Sequence, residues 1–115
     1  MDELWEVYAL KYARNPARLR RDNFIMDDDH AAPMPIEFFV WMLVQPDTGR
    51  RILVDTGFDR AEAAARGREI ERDPTEVLDR WGVPRETLSE VIVTHLHFDH
   101  AGGLDRYPNA RFHLQ

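Results

Sequence analysis

The sequence contains no cysteine among its 115 residues. Disulfide bonds and zinc sites built from thiolates are therefore excluded, and any metal ion has to be bound by histidine and carboxylate side chains. An excess of basic residues is also missing, because the formal net charge is -6. Nucleic acid binds basic surfaces, so it is not expected as a partner.

Long apolar runs are absent as well. No segment approaches the roughly 20 apolar residues that a membrane-spanning helix needs. The first ten residues, MDELWEVYAL, lack the basic start of a signal peptide. No membrane association is expected, and a soluble cytoplasmic protein is favoured. The length suits one small domain, and a content of 43% hydrophobic and 31% charged residues is typical of a globular chain.

The order of apolar patterns predicts a mixed α/β fold. Strands are expected at 4–13, 36–45, 50–57, 90–94 and 110–115. The turn PDTG joins the second and third strands into a hairpin. The alanine-rich segment after it and a second helix that begins at Pro74 are expected to cover one face of the sheet.

The apolar run IEFFVWMLVQ at 36–45 is nearly continuous. Such runs are typical of strands that are covered on both faces. We therefore expect Phe38, Phe39 and Trp41 to lie in the core.

The stretch THLHFDHAGG at 94–103 holds three of the five histidines of the chain. His95 and His97 are two residues apart after a predicted strand, so their side chains point the same way and can bind one ion. Asp99 and His100 follow where the chain has to turn, and can reach a second ion. Imidazole and carboxylate are the zinc ligands that remain without thiolates, and such sites also bind iron, manganese or cobalt.

The two remaining histidines have weaker patterns. His113 alternates with the apolar residues of the last strand, which predicts a surface position or one behind the ligands. His30 stands alone in the acidic segment DDDH at 27–30. We interpret this segment as a solvated loop, with the alternative that it overhangs the site and faces the substrate.

The stretch THLHFDHAGG resembles the metal-binding signature of the metallo-β-lactamase-fold hydrolases. The segment ILVDTGF at 52–58 is similar to the strand and turn that precede this signature, and YPNARFHLQ at 107–115 resembles the strand that follows it. The residues of these motifs are most similar to those of the N-acyl-homoserine-lactonase-like branch. The resemblance implies a partial αββα sandwich, with residues 1–115 as the N-terminal part of an incomplete domain.

The resemblance also implies a ligand set. His95 and His97 would bind the first of two zinc ions, and Asp99 and His100 the second. Asp99 would in addition handle the proton of the leaving group or bridging water. In the family, a third histidine for the first ion, a bridging aspartate and a distal histidine come from later in the chain. The second layer of the sandwich would also be missing, which would leave one face of the sheet apolar and uncovered.

Three further residues are implied as supports of the ligands. Asp55 would orient a ligand histidine by a hydrogen bond. Thr94 and Thr56 are weaker candidates for the same task.

The implied activity is metal-dependent hydrolysis of a small lactone or ester by hydroxide held between two ions. His100 stands where the antibiotic-hydrolysing zinc enzymes carry arginine, and His97 where the flavodiiron oxygen reductases carry glutamate. Both differences favour the lactonase-like branch.

Several alternatives stay open. A truncated, non-catalytic metal-binding module would bind ions without turnover, and a glyoxalase II type thioester hydrolase shares the motif. A tRNA-processing nuclease also shares it, but the net charge of -6 disfavours that function. The VDTG segment is found in short dimeric aspartic proteases, but those are nearly all β, whereas residues 61–81 have a helical pattern.

Overall fold

The computed structural model describes residues 3–26 and 29–115. Its main feature is a six-stranded sheet in the order β4-β1-β2-β3-β5-β6. The strands are β1 Glu6–Asn15, β2 Ile36–Gln45, β3 Arg50–Val54, β4 Glu69–Ile70, β5 Glu90–Val93 and β6 Arg111–Leu114. Strands β1 to β3 pair antiparallel, whereas β3, β5 and β6 pair parallel. The predicted mixed α/β fold is confirmed.

The helices are short, and the first two begin after an aspartate cap. They are α1 Arg60–Arg66, α2 Pro74–Arg80 and α3 Phe98–Ala101. Asp59 caps α1 by accepting the amide of Glu62 at 2.8 Å, and Asp73 caps α2 by accepting the amide of Thr75 at 3.0 Å. Pro74 opens α2 as predicted, because its missing amide is not needed at the first helical position. No helix in the described ranges is long and apolar enough to cross a membrane.

The core lies between one face of the sheet and the helices. Alternation along the strands turns every second side chain towards this layer. The most deeply buried members, each at most 2% exposed, are Tyr12, Ala13, Val40, Met42, Leu53, Phe58, Leu78, Leu88, Val91, Val93 and Tyr107. This layer places the ends of β3 and β5 against α3.

The opposite face of the sheet corrects one expectation. Phe38 is 9% exposed and belongs to the core, but Trp41 is 41% exposed and Phe39 is only partly buried. The prediction that β2 is covered on both faces, with Trp41 in the core, is therefore wrong for these 115 residues. The apolar run correctly indicates two apolar faces, but helices pack on only one of them.

Strand bounds differ from the prediction at β1. It begins at Glu6 rather than Leu4, and its register against β2 shifts between Lys11 and Ala13. This irregularity is a β-bulge, which leaves Tyr12 without a partner in the register. The predicted hairpin of β2 and β3 is confirmed by the register from Trp41 opposite Val54 to Gln45 opposite Arg50.

The long connection between β1 and β2 is irregular, as expected. Asp27 and Asp28 of the DDDH segment lie outside the described residues. His30 lies in the described part of this connection, where its carbonyl accepts the amide of Arg21 at 3.1 Å. The short strand β4, which pairs with Ala13 and Arg14, was not predicted, because two residues carry no periodic signal.

Candidate metal centre

The site lies where two parallel strands end side by side. Asp55 directly follows β3, and Thr94 directly follows β5. Because the carboxyl ends of parallel strands meet at one edge of the sheet, residues that are 39 positions apart become neighbours. The amide of Asp55 donates to the carbonyl of Ile92 at 2.8 Å, which extends the ladder to this edge.

The four side chains predicted as ligands come together at this edge. The ring centroid of His95 lies 4.7 Å from that of His97 and 4.0 Å from that of His100. The Nε2 atom of His100 lies 3.3 Å from Oδ2 of Asp99. His95 and His97 are exposed, whereas Asp99 and His100 are partly buried. The cluster thus has an open side towards solvent and a closed side towards the protein.

The closed side is formed by the buried carboxylate of Asp55. Its Oδ2 lies 2.7 Å from Nδ1 of His100. The amide and hydroxyl of Thr94 donate to its Oδ1 at 2.8 and 2.9 Å, and the Thr94 hydroxyl also lies 3.0 Å from Nδ1 of His95. The Asp55 carboxylate therefore contacts Nδ1 of His100 directly, and it reaches Nδ1 of His95 through the Thr94 hydroxyl.

Asp55 occupies an unusual backbone conformation. Its φ of 64° lies in the left-handed region, which non-glycine residues rarely adopt, although aspartate and asparagine tolerate it best. The side chain is nevertheless only 5% exposed, and both of its oxygens accept hydrogen bonds. Such strain persists where the surroundings over-determine the conformation, and here it aims the carboxylate at His100.

Backbone contacts join the loop after β3 to the turn that carries the ligands. The amide of Thr56 donates to the carbonyl of His100 at 2.9 Å, and its hydroxyl donates to the carbonyl of Gly102 at 2.6 Å. The amide of Gly102 returns a bond to the carbonyl of Gly57 at 2.9 Å. Thr56 therefore supports α3 rather than a ligand side chain.

The two glycines at this junction are required by close approach. A Cβ atom on Gly102 would lie 2.4 Å from the carbonyl oxygen of Gly57. Gly57 has a φ of 71°, and a Cβ there would lie 2.8 Å from Cζ of Tyr12. Glycine is the residue that fits such backbone contacts without displacement.

Tyr12 is a contact of the site that the sequence did not predict. Its buried hydroxyl donates to the carbonyl of Asp99 at 3.2 Å. Burial raises the pKa of this hydroxyl far above its usual value, and the charge of Asp99 raises it further, while a backbone hydrogen bond from Phe58 acts against them. The hydroxyl is therefore a proton donor at neutral pH. Strand alternation predicts only that Tyr12 faces the core, as Leu10 does two residues earlier. The hydroxyl contact itself has no sequence signal, because it joins residues that are 87 positions apart.

The donor set fits a divalent transition metal in its chemistry. It offers imidazole nitrogens and a carboxylate, and the Nδ1 contacts of His95 and His100 leave their Nε2 atoms for coordination. Within the described ranges, however, no group of three such side chains is arranged around a single point. These residues thus fit only as a partial set of ligands.

His113 lies at the surface of β6, as one reading of its pattern predicted. Its side chain is 48% exposed, and its Nε2 atom lies 3.5 Å from a carboxylate oxygen of Glu90. The Nε2 atom of His30 is buried and has no hydrogen-bond partner among the described residues. Neither histidine takes part in the ring contacts that bring the other three together.

Comparison with known proteins agrees with this geometry. A hydroxyacylglutathione hydrolase of Pseudomonas fluorescens (strain SBW25) is 33% identical over 82 residues, which are 70% of this chain and 26% of that protein. The crystal structure of a quorum-quenching N-acyl homoserine lactone lactonase superposes with a TM-score of 0.67 at 24% identity, over 90% of this chain and 45% of that one.

A second structure has the same fold. It is an N-acyl homoserine lactone hydrolase with the product N-hexanoyl-L-homoserine at its catalytic metal centre. Its TM-score is 0.64 at 19% identity, over 94% of this chain and 46% of that one. The chain therefore spans less than half the length of these relatives.

The family model of the metallo-beta-lactamase superfamily matches residues 39–114. This range includes most of the hairpin of β2 and β3, both strands that end at the site and all four predicted ligands. The chain belongs to the metallo-β-lactamase superfamily of hydrolases.

Proposed function

We propose that this chain forms the first half of the metal centre of a hydrolase that opens N-acyl-homoserine-type lactones or related small esters. The observation that carries the proposal is the Asp55 carboxylate, which contacts Nδ1 of His100 directly and that of His95 through Thr94. A carboxylate behind a ligand histidine is the usual second partner of metal-bound imidazole.

His95 and His97 would hold one ion, and Asp99 and His100 the other. Zinc suits this donor set best, and iron, manganese or cobalt can replace it. Bound divalent ions supply Lewis acidity and lower the pKa of water in such a site. The protein itself supplies the orientation of the donors before any ion binds.

Each residue of the cluster has a defined task in this proposal. Asp55 accepts from Nδ1 of His100, which fixes the tautomer whose Nε2 lone pair faces the open side. Thr94 donates its hydroxyl hydrogen to Asp55, so its oxygen can accept from Nδ1 of His95. In this proposal the Asp99 carboxylate, whose side chain is 22% exposed, would hold the proton that the leaving alkoxide takes up.

Two donors per ion are fewer than the three protein ligands that a catalytic zinc ion usually has. The chain covers only 45% of the lactonase structure whose fold it shares. We propose that the missing ligands come from outside these 115 residues. The polypeptide that supplies them would pack on the apolar sheet face where Trp41 is 41% exposed.

Thioester hydrolysis is the second candidate, and one observation favours it. The hydroxyacylglutathione hydrolase is 33% identical to this chain over 82 residues, whereas the lactonase structure is 24% identical. Lactones, esters and thioesters share an acyl carbon that water attacks, so the same metal centre can serve each of them. A small acyl compound is therefore the expected substrate class.

The net charge of -6 argues against a nucleic acid as substrate, and the absence of cysteine is compatible with the cytoplasm.

The experiment is a hydrolysis assay of the full-length protein on N-acyl-homoserine lactones and on S-acylglutathione thioesters. We expect lactone opening that His97→Ala abolishes and that His113→Ala leaves unchanged, because His113 lies apart on β6. Preference for the thioester would favour the second candidate. Zinc binding without turnover of either substrate would favour the non-catalytic module and contradict the proposal.

A further inference from the structure

Tyr12 lies outside the matched family range, in β1, yet its side chain reaches the metal loop. The β-bulge between Lys11 and Ala13 leaves Tyr12 out of the strand register. Tyr12 lies two residues after Leu10, which packs against the core, so strand alternation turns it to the same side, where the residue is 0% exposed. The bulge lets the next residue, Ala13, face the core as well. The carbonyl of Tyr12 accepts the amide of Glu71 at 2.8 Å, so the bulge is held from the other edge of β1 as well.

The phenol ring of Tyr12 packs against the loop that follows β3. It meets the ring of Phe58 edge-on, with centroids 5.1 Å apart. The hydroxyl end of the ring packs against Gly57. A Cβ atom on that residue would lie 3.1 Å from the hydroxyl oxygen, so glycine makes the space for it. The hydroxyl therefore has little freedom of position.

The hydroxyl ends at the backbone of a metal ligand. It donates to the carbonyl of Asp99 at 3.2 Å. Asp99 lies in α3, a single turn of four residues, and the carbonyls of such a short helix lack partners within the helix. The buried hydroxyl of Tyr12 bonds to one of these carbonyls, that of Asp99. This bond limits the distance between the α3 turn and the loop after β3.

We propose that Tyr12 is a positioning residue of the metal centre, whose hydroxyl fixes the α3 turn so that Asp99 and His100 face the same ion. This inference rests on the proposed metal-dependent function. The carboxylate of Asp55 orients the His100 ring, and Tyr12 positions the backbone of the neighbouring ligand. The two contacts together define the second ion's half of the site.

The chain offers a matched control in Tyr107. This tyrosine is 2% exposed, and its buried hydroxyl has no hydrogen-bond partner in the described part of the chain. Tyr12→Phe and Tyr107→Phe each remove one buried oxygen atom and no carbon. Only Tyr12→Phe removes a contact to a proposed ligand.

The test measures zinc affinity of the full-length protein by chelator competition, together with the visible spectrum of the cobalt-loaded protein and the thermal unfolding midpoint. Tyr12→Phe is expected to weaken binding of one ion about 10-fold, the usual size for a partner behind a ligand, and to shift the cobalt ligand-field bands. Tyr107→Phe is expected to leave both unchanged.

The contrary outcomes separate this inference from the proposed function. Wild-type protein that binds no metal would overturn both. Wild-type protein that binds metal, with Tyr12→Phe indistinguishable from it in affinity and spectrum, would overturn only the role of Tyr12. An equal loss in both variants, or a Tyr12→Phe chain that does not fold while Tyr107→Phe does, would make Tyr12 a core residue and reject the proposal.

Discussion

The Oδ2 atom of Asp55 lies 2.7 Å from Nδ1 of His100, although 45 residues separate the two in sequence. This contact joins the loop after β3 to the helical turn that follows β5. It is short, it is buried on the Asp55 side, and it leaves Nε2 of His100 directed at Asp99, 3.3 Å away. The fold thus fixes the orientation of this histidine through contacts within the protein.

Asp55→Asn tests this relationship. Asparagine tolerates the left-handed backbone of position 55, so the fold should be retained. It cannot accept from both Thr94 and His100 as the carboxylate does, so we expect zinc affinity to fall about 10- to 100-fold. Titration calorimetry gives the affinity, and circular dichroism checks the fold. Asp47→Asn, in an exposed turn, should bind zinc like the wild type. Unchanged affinity in Asp55→Asn would remove the orienting role.

Gly57→Ala and Gly49→Ala form a second pair. Both glycines have positive φ, 71° and 73°, but a Cβ has open space at Gly49 and meets Tyr12 at 2.8 Å at Gly57. Gly49→Ala should therefore lower the free energy of unfolding by about 1–2 kcal/mol through backbone strain alone. Gly57→Ala should lower it by about 1–3 kcal/mol more through overpacking. Urea unfolding curves measure both, and equal losses would mean that the contact of Gly57 with Tyr12 is not tight.

The ion pair of Arg106 with Asp73 predicts a pH dependence of stability. Burial alone would raise the pKa of Asp73, but hydrogen bonds from Arg106 and from Thr75 outweigh burial and hold that pKa below its usual range. A carboxylate with a lowered pKa in the folded state stabilises the protein above the unfolded value of about 3.9. This contribution is lost as the pH falls through the lower, folded value.

Asp73→Asn should therefore lower the free energy of unfolding at pH 7 by about 1–3 kcal/mol. The difference from wild type should shrink below about pH 4, where the carboxyl group of the unfolded wild-type chain becomes protonated. Urea unfolding at several pH values measures it. Asp79→Asn, exposed on the same helix, is the control. A difference that stays the same at every pH would show that the charge of Asp73 is not involved.

The parts of the fold that were predictable are those with a local signal. The hairpin of β2 and β3 follows from two apolar runs around PDTG, and the start of α2 follows from Pro74. The proximity of His95 to His97 follows from their spacing, since residues two apart on an extended chain share a side. The spacing does not predict the closer approach of His95 to His100, whose ring centroids lie 4.0 Å apart.

The parts that were not predictable depend on distant contacts. Trp41 and Met42 are neighbours in one apolar run, but one is 41% and the other 0% exposed, because only one face of the sheet is covered. The hydroxyl of Tyr12 contacts a carbonyl 87 positions away in the sequence, and no local residue pattern marks this partner. Such contacts are decided by packing between elements, not by the propensity of either.

Metal content of the purified full-length protein tests the central claim most directly. After dialysis against metal-free buffer, mass spectrometry of the elements should find about two transition-metal ions per chain, the content of a two-metal hydrolase site. His97→Ala should lose metal, whereas His113→Ala should retain it. Wild-type protein that is essentially free of transition metal, and still hydrolyses its substrate at full rate, would contradict the account.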